Sequence, residues 1–454
     1  MTGKKETIYA GIFSLSSKII AYFLLLVIAN LYIKESLGQV MFILSAFNLI
    51  LIITVLGVPD TIIPWITKKK DTKSIYHSLM LFSILTTTIT IIAFHNQKWA
   101  YPIFFMFPFI LTTRFSQAYL HTKFKYHYSM FLGIIYTLTV LLLAILLKNL
   151  NALGLTIAYA SGYLIESLIQ VYLTREYIKE ILKDPLSNLR IKLSTFQSYF
   201  KKGIATTLLT LSFAILGRID SFILGTISTY ENVASYNIAS PITNVITLIP
   251  ISIGLFLLKR TSEQENKKLL KKTIRISFSA ALITAIILII FTNIILKILF
   301  PLYMNITPYI AILAIGIVSY SAYYLISIYL IGKLKPERAL LAISLSAILN
   351  IILDLILIPR FGLYGICIAT TISHLTALSI LLFQNKIGKK FLLIYPMLAI
   401  IPITYFAGDY KIVVLPISLV LLYLTRFIKK EDFNIIKDTI NEIRNKHKTT
   451  IHKL

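Results

Sequence analysis

The chain has 454 residues, 57% of them hydrophobic and only 14% charged, with a mean hydropathy of +0.80, which excludes an ordinary soluble globular protein. Its formal charge of +26 comes from lysines and arginines gathered in short clusters between apolar runs, where they meet anionic lipid headgroups, so nucleic acid is excluded as a partner. The single cysteine, Cys367, excludes a disulfide framework and a thiolate metal site, and no cofactor is expected.

From the N-terminus, Lys4 and Lys5 precede an apolar run from Tyr9 to Ile33. That run is too long for a signal peptide and no small-residue cleavage site follows it, so it reads as the first span. A span needs about 20 apolar residues. By that measure, helices are predicted near 9–33, 39–66, 74–95, 100–121, 128–149, 151–174, 204–229, 232–258, 276–300, 304–332, 338–358, 361–384, 391–408 and 411–426. The fold class is therefore an all-α integral membrane protein with about fourteen transmembrane helices.

Basic clusters recur after every second span: Lys68-Lys69-Lys70, Lys123/Lys125, Arg175 to Lys202, Lys259 to Arg275, Lys333 to Arg338, Lys386 to Lys390, and Arg426 onward. The turns between them carry one cation or none, among them Lys34, Lys98, Lys148, Arg360 and Lys411. Because Lys/Arg-rich loops stay in the cytoplasm, this alternation places both termini inside the plasma membrane and requires an even number of spans.

The predicted organisation is an N-terminal six-helix lobe over 1–174, a cytoplasmic linker over 175–203 and a second six-helix lobe over 204–384. Two extra helices follow over 385–426, then a cytoplasmic tail over 427–454 whose Phe433, Ile436, Ile440 and Ile443 share one helical face, as in a helix lying along the inner interface. A weak internal repeat supports two lobes. A shift of 196 residues pairs Glu35 with Glu231 and Asn48 with Asn244, and a shift of 211 pairs Gly154-Leu-Thr-Ile-Ala158 with Gly365-Ile-Cys-Ile-Ala369. Both blocks start inside, so they would be parallel repeats, the architecture of a rocking transporter.

Two stretches carry a family resemblance: Arg218-Ile-Asp220-Ser-Phe-Ile-Leu-Gly225 with Val233-Ala-Ser-Tyr236-Asn-Ile-Ala239 and Pro250, and Asn350-Ile-Ile-Leu-Asp354 through Pro359-Arg-Phe-Gly362-Leu-Tyr-Gly365 to Ala369-Thr370. They resemble the seventh-to-eighth and eleventh-to-twelfth helices of polysaccharide flippases in the multidrug/oligosaccharidyl-lipid/polysaccharide (MOP) exporter superfamily. The likeness spans the whole chain in length and topology, but its motifs are small and apolar and specify the superfamily better than the cargo. It implies a flippase that moves a polyprenyl-phosphate-linked oligosaccharide from the inner to the outer leaflet for surface polysaccharide assembly. The alternative is a cation-coupled multidrug or small-molecule exporter of the same superfamily. A lipid II flippase would call for more arginines in the first two spans than Lys18 alone supplies.

Ionisable groups inside spans are costly and usually face a cavity or a partner. Lys18 lies about 15 Å into the first span, where it suits a diphosphate headgroup or instead an ion pair with Asp220 or Glu166. Arg218 and Asp220, two residues apart, point about 200° from each other around their helix. Arg218 is assigned to the phosphate and Asp220 to a coupling ion (H+ or Na+) or a lobe contact. Arg114 either joins the phosphate site or snorkels to the interface. Asp60 lines the inner vestibule or pairs with a loop lysine. Glu166 and His374 are candidates for proton coupling or for satisfied buried hydrogen bonds, the latter favoured. Asp354 is expected to pair with Arg360. Asn48, Asn244 and Asn350 are expected to bond between helices. Tyr320, Tyr323 and Tyr324 either stack on sugar rings or pack, packing being favoured.

No GxxxxGK[ST], HExxH, GxSxG or paired-Cys motif occurs, and the outer turns are too short to carry a polymerase or glycosyltransferase site, so the chain is not expected to be an enzyme.

Overall fold

A computed structural model describes residues 3–55, 58, 62–68, 71–123, 125–183, 193–248, 250–254, 267–333 and 335–429. Asp60 and the amphipathic pattern over 433–443 lie outside the described residues. The principal helices are α1 Gly3–Leu31, α2 Lys34–Val55, α3 Thr72–Ala93, α4 Phe107–Thr122, α5 Tyr126–Leu146, α6 Asn151–Leu173, α7 Leu193–Ile227, α8 Tyr230–Asn244, α9 Lys267–Leu299, α10 Thr307–Gly332, α11 Pro336–Phe361, α12 Leu363–Gln384, α13 Ile400–Phe406 and α14 Lys411–Leu424. Among the described residues, a helix lies within each predicted stretch.

Among the described residues, eight segments are long and apolar enough to cross a membrane: Lys34–Val55, Thr72–Ala93, Lys148–Leu173, Lys267–Leu299, Pro301–Gly332, Pro336–Phe361, Leu363–Gln384 and Lys389–Phe406. Two shorter apolar stretches, Ser16–Leu31 and Met130–Leu146, accompany them. The chain is thus an all-α, multi-pass membrane protein.

Many hydroxyls inside these helices are satisfied by a carbonyl of their own helix, as a medium without water favours. In α3 the hydroxyls of Thr86, Thr87, Thr88 and Thr90 donate to the carbonyls of Phe82, Ser83, Ile84 and Thr86 at 2.7–3.1 Å. The same helix starts on Asp71, whose carboxylate accepts from the Ser74 amide at 3.1 Å and the Ser74 hydroxyl at 2.7 Å. Asn48 donates to Leu44 of its own helix at 2.6 Å, and so does not bridge helices through that amide as expected.

Contacts divide the chain into two compact units. Unit one holds 1–241, 296–306 and 343–369; unit two holds 242–295, 307–342 and 370–454.

Within unit one, α2 packs against α7 and the first residue of α8 through close approach. A Cβ on Gly38 would sit 1.7 Å from the Tyr230 carbonyl oxygen, and one on Gly225 would sit 2.3 Å from Cδ2 of Phe42. Phe42 in turn stacks on Phe222, with centroids 5.4 Å apart and planes 4° apart. Small residues where helices touch let backbones approach where lipid supplies no hydrophobic drive. Tyr230 meets Gly38 with a main-chain atom that cannot rotate away, so Gly38→Ala is expected to cost about 1–3 kcal/mol. The readout is a lower thermal unfolding midpoint in detergent; an unchanged midpoint would refute the tight fit.

Residues paired by the two sequence shifts stand in like surroundings in unit one. A Cβ on Gly154 would meet the Leu147 carbonyl at 2.1 Å, and one on Gly365 the Leu357 carbonyl at 2.3 Å. Each glycine admits the end of the preceding helix. Glu35 and Glu231 each stand in the first turn of a helix, where a negative charge complements the helix dipole.

Within unit two, α10 lies under α12. The Thr371 hydroxyl donates to the Ile312 carbonyl at 2.9 Å, and Gly316 leaves room for His374 beside it. Arg275 donates to the Phe427 carbonyl at 2.8 Å, tying the start of α9 to the segment after α14.

Candidate functional site

Two groups of ionisable side chains lie inside the helices of unit one. In the first, α4 supplies Arg114, α6 supplies Tyr163 and Glu166, α5 supplies Tyr136, and α7 supplies Arg218. Arg114 donates to Gln117 Oε1 at 2.9 Å and its charge bears on the half-buried Glu166. The Tyr163 ring lies within reach of the charges of Glu166, Arg114 and Arg218. It also packs 4.7 Å from Tyr136 and 5.7 Å from Phe47, centroid to centroid. Arg218 is exposed. Two guanidiniums and one carboxylate around an aromatic floor leave an excess of positive charge, and guanidinium forks match phosphate oxygens bidentately.

Lys18 is exposed on α1, next to Ser17, whose hydroxyl faces Gly133 of α5. Among the described residues it forms no ion pair with Asp220 or Glu166.

The second group lies on the other side of α7. Asp220 is fully buried and accepts a hydrogen bond from the Tyr236 hydroxyl of α8. Asp354 of α11 lies beside it, close enough for the two carboxyl charges to act on each other, and Cys367 of α12 is within reach of both. Asp354 is fully buried, and among the described residues its carboxyl oxygens meet no N–H or O–H donor, only the carboxyl of Asp220 at hydrogen-bonding range. The expected Asp354–Arg360 pair therefore does not form: Arg360, near the end of α11, is exposed, whereas Asp354 faces inward to α7. One turn earlier on α11, the buried amide of Asn350 also lacks a partner at both its oxygen and its nitrogen. A buried carboxyl pair with a free amide and a phenol nearby offers hard oxygen ligands, the set that suits an alkali cation or a shared proton.

In unit two, His374 Nδ1 and the Tyr323 hydroxyl are 2.9 Å apart, both residues buried. Tyr320 stacks on Tyr324 at 5.5 Å and meets Tyr323 edge-on at 5.2 Å. This group is a packed, hydrogen-bonded core.

Sequence reasoning singled out Asp220, Arg218, Arg114 and Glu166, but missed Tyr163 and Tyr136 as their floor and the Asp354–Asp220 juxtaposition. The four-residue spacing of Asn350 and Asp354 puts both on one helix face and was the available signal for the latter.

The family described as "Polysaccharide biosynthesis protein" matches residues 4–258. Two uncharacterized membrane proteins of Methanocaldococcus jannaschii are similar. MJ1068 is 29% identical over 196 residues, which cover 40% of this chain and 39% of that protein. MJ1375 is 25% identical over 411 residues, 85% of this chain and 98% of that protein. Among solved structures, a lipid II flippase MurJ in an inward closed conformation superposes with a TM-score of 0.73 at 16% identity, over 94% of this chain and 99% of that one. An inward-facing multidrug resistance MATE family transporter of the MOP superfamily superposes with a TM-score of 0.64 at 16% identity, over 83% and 98%. The chain, a multi-pass membrane protein with the fold of these solved structures, belongs to the polysaccharide biosynthesis protein family.

Proposed function

We propose that the chain is a flippase that carries a polyprenyl-phosphate-linked oligosaccharide from the inner to the outer leaflet by alternating access, for surface polysaccharide or glycan assembly. The observation that carries this reading is the pair of arginines, Arg114 and Arg218, whose charges bear together with that of Glu166 on Tyr163. A charge inside a span needs a partner. One carboxylate offsets one of these cations, and an anionic headgroup would offset the other while its lipid tail stays in the bilayer. Family membership supports the glycan cargo, and the fold of a protein titled a lipid II flippase supports the lipid-linked form.

In the same reading the chain spans the plasma membrane about fourteen times, as two six-helix lobes with two further helices and both termini cytoplasmic. Lys18 meets the headgroup on its way through the cavity, and Asp220 with Asp354 holds the coupling ion.

The carboxylate pair favours one competing reading, a cation-coupled exporter of small molecules. Reconstitution separates the two. In proteoliposomes, the flippase should expose a fluorescent diphosphate-linked saccharide lipid to a membrane-impermeant quencher. The exporter should instead expel organic cations and leave the lipid where it was.

A further inference from the structure

The aromatic floor beside the two arginines is fixed in place by a glycine. Gly162 precedes Tyr163 on α6, and a Cβ there would meet Cγ2 of Val140 at 2.7 Å and Cδ2 of Tyr136 at 2.9 Å. A glycine inside a helix is destabilising relative to alanine. The room it leaves is filled by the Tyr136 ring of α5, whose plane is tilted 40° to that of Tyr163. The two phenols lie at hydrogen-bonding range of each other. Phe47 of α2 packs on Tyr163 as well, with planes 44° apart. Both tyrosines are half-buried, so part of each ring stays uncovered. Rings held this firmly offer contact area at little further cost in side-chain entropy.

The charged groups at this floor differ in what they attract. Arg114 and Arg218 suit phosphate oxygens. Glu166 does not. It follows Tyr163 by three residues, so the two share one face of α6. Its charge bears on the Tyr163 ring, and that of Arg114 bears on Glu166 in turn. A carboxylate repels a diphosphate that enters beside it. It accepts hydrogen bonds from hydroxyl and amide N–H groups, which a sugar carries. A carboxylate and two partly uncovered rings beside a pair of guanidiniums therefore match a ligand that passes from anion to sugar within a few bonds.

We propose that Tyr136, Tyr163 and Glu166 form a subsite for the first sugar of the lipid-linked saccharide, the one joined directly to the diphosphate. The rings pack against the C–H face of a pyranose. The Glu166 carboxylate accepts from the hydroxyl or amide N–H on the carbon beside the anomeric centre, the substituent nearest the diphosphate. Arg114 and Arg218 hold the diphosphate itself. The subsite rests on the flippase reading and adds a requirement to it: the arginines bind the anion, and the tyrosines and Glu166 select what it carries. A site built to pair with a ligand hydroxyl rejects the analogue lacking it far more strongly than an apolar pocket rejects a missing methylene.

The test measures binding of three lipids with one polyprenyl tail to the purified full chain in nanodiscs: the bare diphosphate, its glucose conjugate and its 2-deoxyglucose conjugate. The wild type is expected to bind the glucose conjugate about tenfold more tightly than either of the others. Tyr163→Leu and Tyr136→Leu should erase the preference over the bare diphosphate. Tyr163→Phe and Tyr136→Phe keep the rings and should retain it. Glu166→Gln should tighten the bare diphosphate and narrow the preference for glucose over 2-deoxyglucose several-fold, since a neutral amide accepts more weakly than a carboxylate. Tyr128→Leu, at an exposed ring of α5, should keep every ratio. Each readout compares ligands on one protein, so a loss of folded protein cancels. If the leucine variants do not fold, the wild-type and Glu166→Gln ratios decide. Equal wild-type binding of the bare diphosphate and the glucose conjugate would overturn the subsite and leave the flippase reading standing. Wild-type ratios in both leucine variants would do the same, and no binding of any of the three lipids would overturn both.

Discussion

Arg218→Gln is expected to lower transfer of a diphosphate-linked saccharide lipid by about ten- to a hundredfold while leaving membrane insertion and the unfolding midpoint near wild type. A charge-assisted hydrogen bond contributes about 1.5–3 kcal/mol, and each 1.4 kcal/mol is about tenfold in affinity. Arg218 is exposed, so removing its charge leaves no buried acid stranded. Arg114→Gln should also reduce transfer, but it removes the cation that bears on Glu166 and the donor to Gln117, and so should lower stability as well. The sign of a third variant is the more demanding check. Glu166→Gln removes the one carboxylate from the cluster, so binding of the anionic headgroup should tighten; if Glu166 instead carries a coupling proton, turnover should collapse with binding unchanged. Arg218→Lys should recover only part of the loss, because an ammonium cannot form the planar fork that matches phosphate oxygens. The measurement is fluorescent lipid scrambling in proteoliposomes alongside surface glycan in a complemented deletion strain. Full transfer by Arg218→Gln/Lys18→Gln would remove both residues from the phosphate site.

The helices were legible because apolar runs of spanning length and basic clusters mark them independently of how they pack. The opposed orientation of Arg218 and Asp220 was legible too, since two residues on a helix fix an angle whatever surrounds it. Partners were not legible. Asp354 was assigned to Arg360 on proximity along the chain, yet six residues on a helix also separate faces, and α11 turns Asp354 toward α7 while Arg360 stays exposed. Which helix lies opposite a given face depends on close approaches such as Gly38 against Tyr230 and Gly225 against Phe42, where the signal is a missing side chain.

Asp354→Asn is expected to abolish ion dependence without unfolding the protein. Two fully buried carboxyl groups within reach of each other repel when both are ionised, and a cation shared between them relieves that repulsion. Tyr236 donates a hydrogen bond to Asp220. A cation, either an alkali ion or a proton, satisfies the pair, and the partnerless amide oxygen of Asn350 completes an oxygen-rich set for the former. A ligand present at about 100 times its dissociation constant stabilises the state that binds it by about 2.7 kcal/mol. Wild-type protein in detergent should therefore unfold at a higher temperature as sodium replaces a bulky organic cation at constant ionic strength, and Asp354→Asn and Asp220→Asn should lose that response. Tyr236→Phe should weaken it, since the phenol orients Asp220. Asp409→Asn, at an exposed turn, should keep it. If wild-type stability ignores sodium but transport follows a pH gradient, the shared species is a proton, and Asp354→Asn should still uncouple transport from that gradient. Gradient-driven transport at the wild-type rate in Asp354→Asn would make the carboxyl pair a structural contact between α7 and α11.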